Sequence, residues 1–290
     1  MGGGQTYYGN NFTYGSSGQL VGGTLTGLDE YRNYRLDYTA RDVNVSAVTA
    51  ANLINSGNAY GITSLALVGN DTINGSIYAD YLIGYAGNDL MRGNGGNDYI
   101  DGAVGLNTSA YSGASSSYTI TIQGINFSTV SDSSSGRDGY DTLVNIERLQ
   151  FSNTMVAIDI GPTQIAGSAY MLYQAAFNRT PDASGLGYWI AQLDAGANIV
   201  TDVAQAFISS PEFIAQYGAN PSNASYVNNL YLNVLHRPGE AGGVAYWNAE
   251  LDAGRVSKAY VLEQFATLPE GAALVAPAIA HGIAYTQWVG

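Results

Sequence analysis

The 290-residue sequence contains no cysteine. Disulfide staples and thiolate metal sites are therefore excluded as sources of stability or chemistry. Basic residues are nearly as scarce. Lys258 is the single lysine, Lys and Arg total 10 against 23 Asp and Glu, and the net charge is −13. Nucleic-acid binding needs a basic face, and no stretch of this chain supplies one. Histidine occurs only at His236 and His281, with no HExxH pair, and the GxSxG elbow and P-loop patterns are missing too. The sequence therefore predicts no enzyme. No apolar run reaches the ~20 residues that a membrane-spanning helix requires. The opening MGGGQTYYGN lacks the basic and apolar regions of a secretory signal peptide. Charged residues make up only 11% of the chain, whereas tyrosine occurs 23 times. Such a surface is neutral, aromatic and polar, suited to glycan or protein contacts.

Glycine is abundant, and its placement is ordered. In GYAGNDLMRGNGGNDYIDG (84–102) glycine is too frequent for a helix, and Asp and Asn too frequent for a buried strand. Asp71, Asp80, Asp89 and Asp98 stand nine residues apart, each followed two positions later by an apolar residue: Ile73, Leu82, Met91, Ile100. Gly75, Gly84 and Gly93 stand five residues before an Asp, and Gly69, Gly87 and Gly96 two residues before one. The register ends at Asn107, and the second repeat is the weakest because Tyr78 replaces its second glycine. A fixed nine-residue period is the signature of a calcium-binding parallel β-helix. Calcium takes six to eight oxygens from carboxylates and backbone carbonyls. Glycine lets the turns tighten and aim carbonyls inward. Two nine-residue half-turns make one coil, so Asp71 is expected over Asp89 and Asp80 over Asp98. The predicted metal set is Asp71, Asp80, Asp89 and Asp98 with Gly69, Gly87 and Gly96. Roughly two Ca²⁺ ions would each be shared by a stacked pair, with one further site at a roll end as the upper bound.

This block, residues 66–107, resembles the RTX (repeat-in-toxin) repeats of proteins exported by Gram-negative type I secretion. The segment 112–160, with DGYDTLVNIERLQFSN as its most typical piece, is similar to the strand-rich region that commonly trails such repeats. The resemblance implies a secreted, extracellular, cell-surface protein that folds on calcium, with an uncleaved C-terminal export signal. GAALVAPAIAHGIAYTQWVG (271–290) is the candidate for that signal by position.

Short alternations in 1–30 predict hairpins, and Tyr34, Leu36 and Tyr38 predict a half-buried strand. A short helix is expected over 47–56. The N-terminal strands are expected to stack on the repeats, so that much of 1–160 forms one β-roll or β-helix. After GPTQIAGSA (161–169) the apolar period lengthens to that of helices, and the sequence duplicates. YQAAFNRTPDASGLGYWIAQLDAG (173–196) aligns without gaps on YLNVLHRPGEAGGVAYWNAELDAG (231–254). Each copy predicts a helix, a Pro/Gly turn, a second helix ending at Gly196 or Gly254, and a third carrying Phe207 or Phe265. Ser210-Pro211-Glu212 reads as a helix start with cap, N1 proline and first-turn acid. The copies, about 169–218 and 227–275, resemble the family known as domain of unknown function 4214, found beside RTX repeats and in bacterial surface-layer proteins. A more distant similarity to the lipopolysaccharide-holding region of calcium-dependent surface layers implies an envelope polysaccharide as partner.

The predicted fold class is therefore a β + α multidomain chain. A calcium-binding parallel roll lies within a β-rich domain (1–160), and an all-α bundle with an internal duplication follows (161–290). Trp189 and Trp247 read either as core aromatics or, with Tyr188 and Tyr246, as a sugar-stacking platform. Arg179 and Arg237 read either as turn pins paired to Asp182 and Glu240 or as ligand-binding groups. The functional expectation is a non-enzymatic, calcium-dependent structural or adhesion protein. Two alternatives are a self-assembling homo-oligomer or polymer, as in a surface layer or filament, and the calcium-folding tail of a larger secreted hydrolase.

Overall fold

The computed structural model describes residues 3–32, 35–56 and 60–290, and the chain divides into two compact units, 1–158 and 159–290. In the first unit, β1 (Gly3–Tyr14) and β2 (Leu20–Arg32) form one long antiparallel hairpin, and β3 (Arg35–Ser46) pairs antiparallel with β2. Tyr34, placed by sequence in a half-buried strand, lies outside the described residues. Ser46 then caps α1 (Ala47–Asn55) by accepting the Thr49 N–H, and α2 (Tyr60–Ala66) leads to the repeats.

The repeats make short strands: β4 (Thr72–Gly75), β5 (Tyr81–Ile83), β6 (Leu90–Arg92), β7 (Tyr99–Asp101) and β8 (Thr108–Ala110). Alternate strands pair in parallel. Ile73 stands beside Met91 and Met91 beside Ser109 on one wall, and Leu82 stands beside Ile100 on the other. This is a β-roll, two facing parallel ladders closed by Gly/Asn/Asp turns. Ile73, Leu82, Met91 and Ile100 are all at most 2% exposed. Burying a side chain of this size contributes about 1.5–3 kcal/mol, and the Gly-rich turns need that compensation for their lost entropy.

Downstream come β9 (Tyr118–Ile122), β10 (Phe127–Asp132), β11 (Tyr140–Val144), β12 (Arg148–Gln150) and β13 (Met155–Ala157). One sheet of this unit runs β1-β2-β3-β4-β6-β8-β12-β13 and the other β5-β7-β11-β10-β9. The parallel part is confined to β4–β8 with β11 and β12. The expectation that the N-terminal strands continue the roll is thereby corrected. β3 joins β4 antiparallel, Ala40 opposite Ile73, because α1 and α2 return the chain in the opposite sense. These strands extend the sheet without adding coils.

The second unit contains α3 (Ile165–Phe177), α4 (Ala183–Asp194), α5 (Gln205–Ile208), α6 (Pro211–Tyr217), α7 (Asn223–Asn233), α8 (Ala241–Asp252), α9 (Lys258–Thr267), α10 (Pro269–Ile279) and a short strand β14 (Ile283–Tyr285). The duplication is structural. α3-α4-α5-α6 repeats as α7-α8-α9-α10, and Asn178 and His236 take the same left-handed conformation at the helix exits. α4 and α8 both end in Schellman turns. Ala197 N–H donates to Gln192 and Arg255 N–H to Glu250, with Gly196 and Gly254 at positive φ. A π-helical turn, Ile199–Ala204, precedes α5. The first copy has one residue more between cap and phenylalanine (Asn198 to Phe207) than the second (Ser257 to Phe265), and the wider turn absorbs it. Phe207 and Phe265 are consequently both buried.

Candidate metal centre

The carboxylates of the roll stack in two columns. In the first, Asp71 N–H donates to Asp89 Oδ1 (2.9 Å), Asp89 N–H to Asn107 Oδ1 (3.1 Å), and Asn107 N–H to Glu147 Oε2 (2.7 Å). In the second, Asp80 N–H donates to Asp98 Oδ1 (2.9 Å) and Asp98 N–H to Asp141 Oδ1 (3.0 Å). The structure thus brings the predicted pairs Asp71/Asp89 and Asp80/Asp98 together. One oxygen of each acceptor carboxylate ties successive coils, which leaves the other for different work.

That second oxygen is the informative atom. Asp89 is 1% exposed and Asp98 2%, and in both the buried Oδ2 has no hydrogen-bond donor. Burial raises both carboxyls to about 6, although backbone N–H donors from Asp71 and Asp80 pull the other way. A desolvated carboxylate oxygen without a donor is costly, and a cation removes the cost. Gly69, Gly87 and Gly96 hold the turns at φ of +132°, +131° and +118°. The Gly69 carbonyl faces the α-carbon of Gly87, and the Gly87 carbonyl that of Gly105. Carboxylate and carbonyl oxygens of this kind suit a hard cation such as calcium. Among the described residues no three His, Cys, Asp or Glu side chains converge as a metal cluster. A calcium held here would draw on one or two carboxylates together with main-chain oxygen and would supply the missing counter-charge.

The weak second repeat differs. Ser76 donates its N–H (2.5 Å) and hydroxyl (3.1 Å) to Asp80, so protein donors already serve this carboxylate. Asn107 enters the first column as a neutral amide, its Nδ2 donating to the Asn145 carbonyl (3.2 Å).

In the helical unit the arginines pin turns, but their main partners escaped sequence reading. Arg179 makes a two-pronged bond to Glu212 (2.7 and 3.1 Å), and Asp182 lies farther away at 3.7 Å. Arg237 binds Glu270 (2.5 and 2.7 Å) as well as Glu240 (2.6 Å). The missed signal is the shared spacing of 33 residues in both copies. The Tyr173 hydroxyl, with the Gly185 N–H and Ser184, lowers Asp182 to about 2. Each guanidinium also lies 5.1 Å above a tyrosine ring, Tyr173 or Tyr231. Arg179→Ala is expected to destabilise the helical unit by about 1 kcal/mol, because both partners are half exposed. A double-mutant cycle with Glu212→Ala checks the pairing, and additive losses would refute it.

Trp189 meets Phe207 edge-on at 5.2 Å and Trp247 meets Phe265 at 6.0 Å, so both indoles pack within their copies. Tyr188 packs on Trp189 and Trp288. Tyr246 is 57% exposed. The copies differ because β14 lies on α4, with Thr286 N–H donating to the Ala183 carbonyl (3.0 Å). Beside α8, Tyr231, Arg237, Glu240, Trp247 and Phe265 line a cavity of about 240 Å³.

Comparison with known families agrees with both repeat systems. The RTX calcium-binding nonapeptide repeat (4 copies) matches residues 66–108, and the domain of unknown function DUF4214 matches 167–214 and 204–275. The chain thus carries calcium-binding RTX repeats, of the kind typical of secreted proteins, followed by DUF4214 domains. No curated protein matches. Among solved structures, the extracellular lipase LipA from Serratia marcescens aligns at 24% identity with a TM-score of 0.29. That alignment covers 32% of this chain and 16% of the lipase chain. Among the described residues, no helix is long and apolar enough to cross a membrane.

Proposed function

We propose that the chain is a non-enzymatic, secreted cell-surface protein whose β-roll folds on calcium outside the cell. The observation that supports this reading best is the pair of buried carboxylate oxygens, Asp89 Oδ2 and Asp98 Oδ2, that lack donors. Extracellular modules bind calcium at roughly 10⁻⁴–10⁻³ M. The cytosol holds far less, so the repeats would stay open before export and close after it. A site at ten times its dissociation constant adds about 1.4 kcal/mol to the folded state. The helical module supplies the contact in this reading. Exposed Tyr246 and the cavity bounded by Arg237, Glu240 and Trp247 suit a polyhydroxylated envelope polysaccharide.

Self-assembly is the second reading, and β1 favours it. This twelve-residue strand lies at a sheet edge and has neither charge nor proline, two devices that block edge pairing, and the register shifts in its pairing with β2 begin only after Tyr8. Circular dichroism and light scattering against calcium concentration separate the readings. We expect a cooperative gain of β signal near millimolar calcium. Growth of particles in the same range supports assembly. A persisting monomer supports the glycan-contact reading, to be followed by a glycan array. Absence of any transition refutes calcium-driven folding.

A further inference from the structure

The family match stops at residue 108, but the second carboxylate column does not. The chain leaves the roll after β8, makes the β9/β10 hairpin and returns as β11. There Thr142, Leu143 and Val144 pair in parallel with Tyr99, Ile100 and Asp101. Gly139-Tyr140-Asp141-Thr142-Leu143 thus overlies Gly96-Asn97-Asp98-Tyr99-Ile100 position for position. Each element of the repeat recurs. Gly139 has φ +77°, and its α-carbon faces the Gly96 carbonyl, as Gly105 faces that of Gly87. Tyr140 N–H donates to Asn97 Oδ1 (3.0 Å), as Asn88 N–H donates to Asn70 Oδ1 (2.7 Å) and Leu106 N–H to Asn88 Oδ1 (2.8 Å). Asp141 Oδ1 accepts the Asp98 N–H, and Leu143 fills the inward apolar position at 1% exposure.

We propose that Asp98 and Asp141 form a further calcium site at the end of the second column, built from a half-coil that lies outside the nonapeptide run. Three features support it. Asp98 and Asp141 are 2% and 1% exposed, so two carboxylates are buried together, and Asp98 Oδ2 has no donor. No counter-charge comes from the neighbours: Asp138 is a third acid, accepting from Ser112 N–H, Ser112 hydroxyl and the Tyr118 hydroxyl, and the Tyr111 hydroxyl that contacts Asp141 is neutral. The first column contrasts. It reaches its third coil with the neutral Asn107, whose amide is held by protein groups and needs no cation. The second column reaches the same level with a carboxylate.

The inference rests on calcium binding by the roll, and one experiment separates the two. Native mass spectrometry in a calcium titration counts ions on the full chain and on Asp141→Asn. Loss of the Asp98/Asp141 pair predicts one ion fewer on the variant than on the native chain. Because the variant could fail to fold, anomalous scattering from calcium in crystals of the native chain locates the ions directly. One ion should lie against both Asp98 and Asp141. Calcium in the roll with none at Asp141, or equal counts in both proteins, overturns the proposal and spares the roll. No bound calcium in either protein overturns both.

Discussion

Gly87→Ala should abolish calcium-dependent folding of the roll, whereas Gly124→Ala should leave it unchanged. Gly87 stands at φ +131°, a region in which side chains are strained by about 1–3 kcal/mol. A methyl group there would also run into the Gly69 carbonyl of the coil above, which is backbone and cannot rotate away. Moving that carbonyl would displace an oxygen of the candidate calcium turn and break the hydrogen bond from Asn88 N–H to Asn70 Oδ1 next to it. Strain and lost coordination add, so a total of roughly 3 kcal/mol or more is expected, a severe loss for a single site. Gly124, in the turn between β9 and β10, has nothing within 4 Å of its absent methyl. A change within about 0.5 kcal/mol is expected there. Calcium titrations followed by circular dichroism test both, and a Gly87→Ala chain that folds at the native calcium concentration would refute the close-approach argument.

The second large effect is an opposite pH dependence with and without calcium. Burial raises Asp89 and Asp98 to about 6 and Asp141 to about 8, against an ordinary aspartate near 4. The folded, calcium-free roll therefore holds these protons more tightly than the open chain does. Their stabilisation is complete below pH ~4 and is lost as pH rises through about 6, and through about 8 for Asp141. A carboxyl raised from near 4 to about 6 makes ionisation in the fold up to about 3 kcal/mol more costly, less the part that solvent at the turns screens. Chelated protein should accordingly melt higher at pH 5 than at pH 8. Calcium needs the ionised form, so its affinity should climb over the same interval. Thermal melts at both pH values, with chelator and with millimolar calcium, read the two trends. A chelated chain that gains stability from pH 5 to pH 8 would contradict the buried-carboxylate account.

Periodicity made much of this legible. Asp71 to Asp98, with Ile73, Leu82, Met91 and Ile100, announce the roll because each repeat meets the same physical demands at the same interval. The helical duplication was readable for the same reason, down to the left-handed exits at Gly196 and Gly254. What escaped was non-periodic. Asp141 lies 43 residues from Asp98 rather than 18, because a hairpin interrupts the count. Glu147 accepts from Asn107 across 40 residues, beyond the same hairpin. Glu212 read as a first-turn acid, and it does stand there, yet its carboxylate is also the two-pronged partner of Arg179. The antiparallel joining of β3 to β4 depends on the path of α1 and α2, which no local pattern encodes.

The detour to Asp141 also orders events in time. Bringing together residues 43 apart costs about 0.8 kcal/mol more chain entropy than bringing together residues 18 apart. The β9/β10 hairpin lies inside that span and pairs locally, Thr121 with Thr129, so it can form unaided by the roll and shorten the gap. This order of closure costs predicts that the nonapeptide coils wind first, the hairpin zips independently and the 139–144 half-coil docks last, a sequence that pulsed hydrogen exchange during refolding would check. If calcium sets how firmly the roll is held, chain topology sets how quickly its end is sealed.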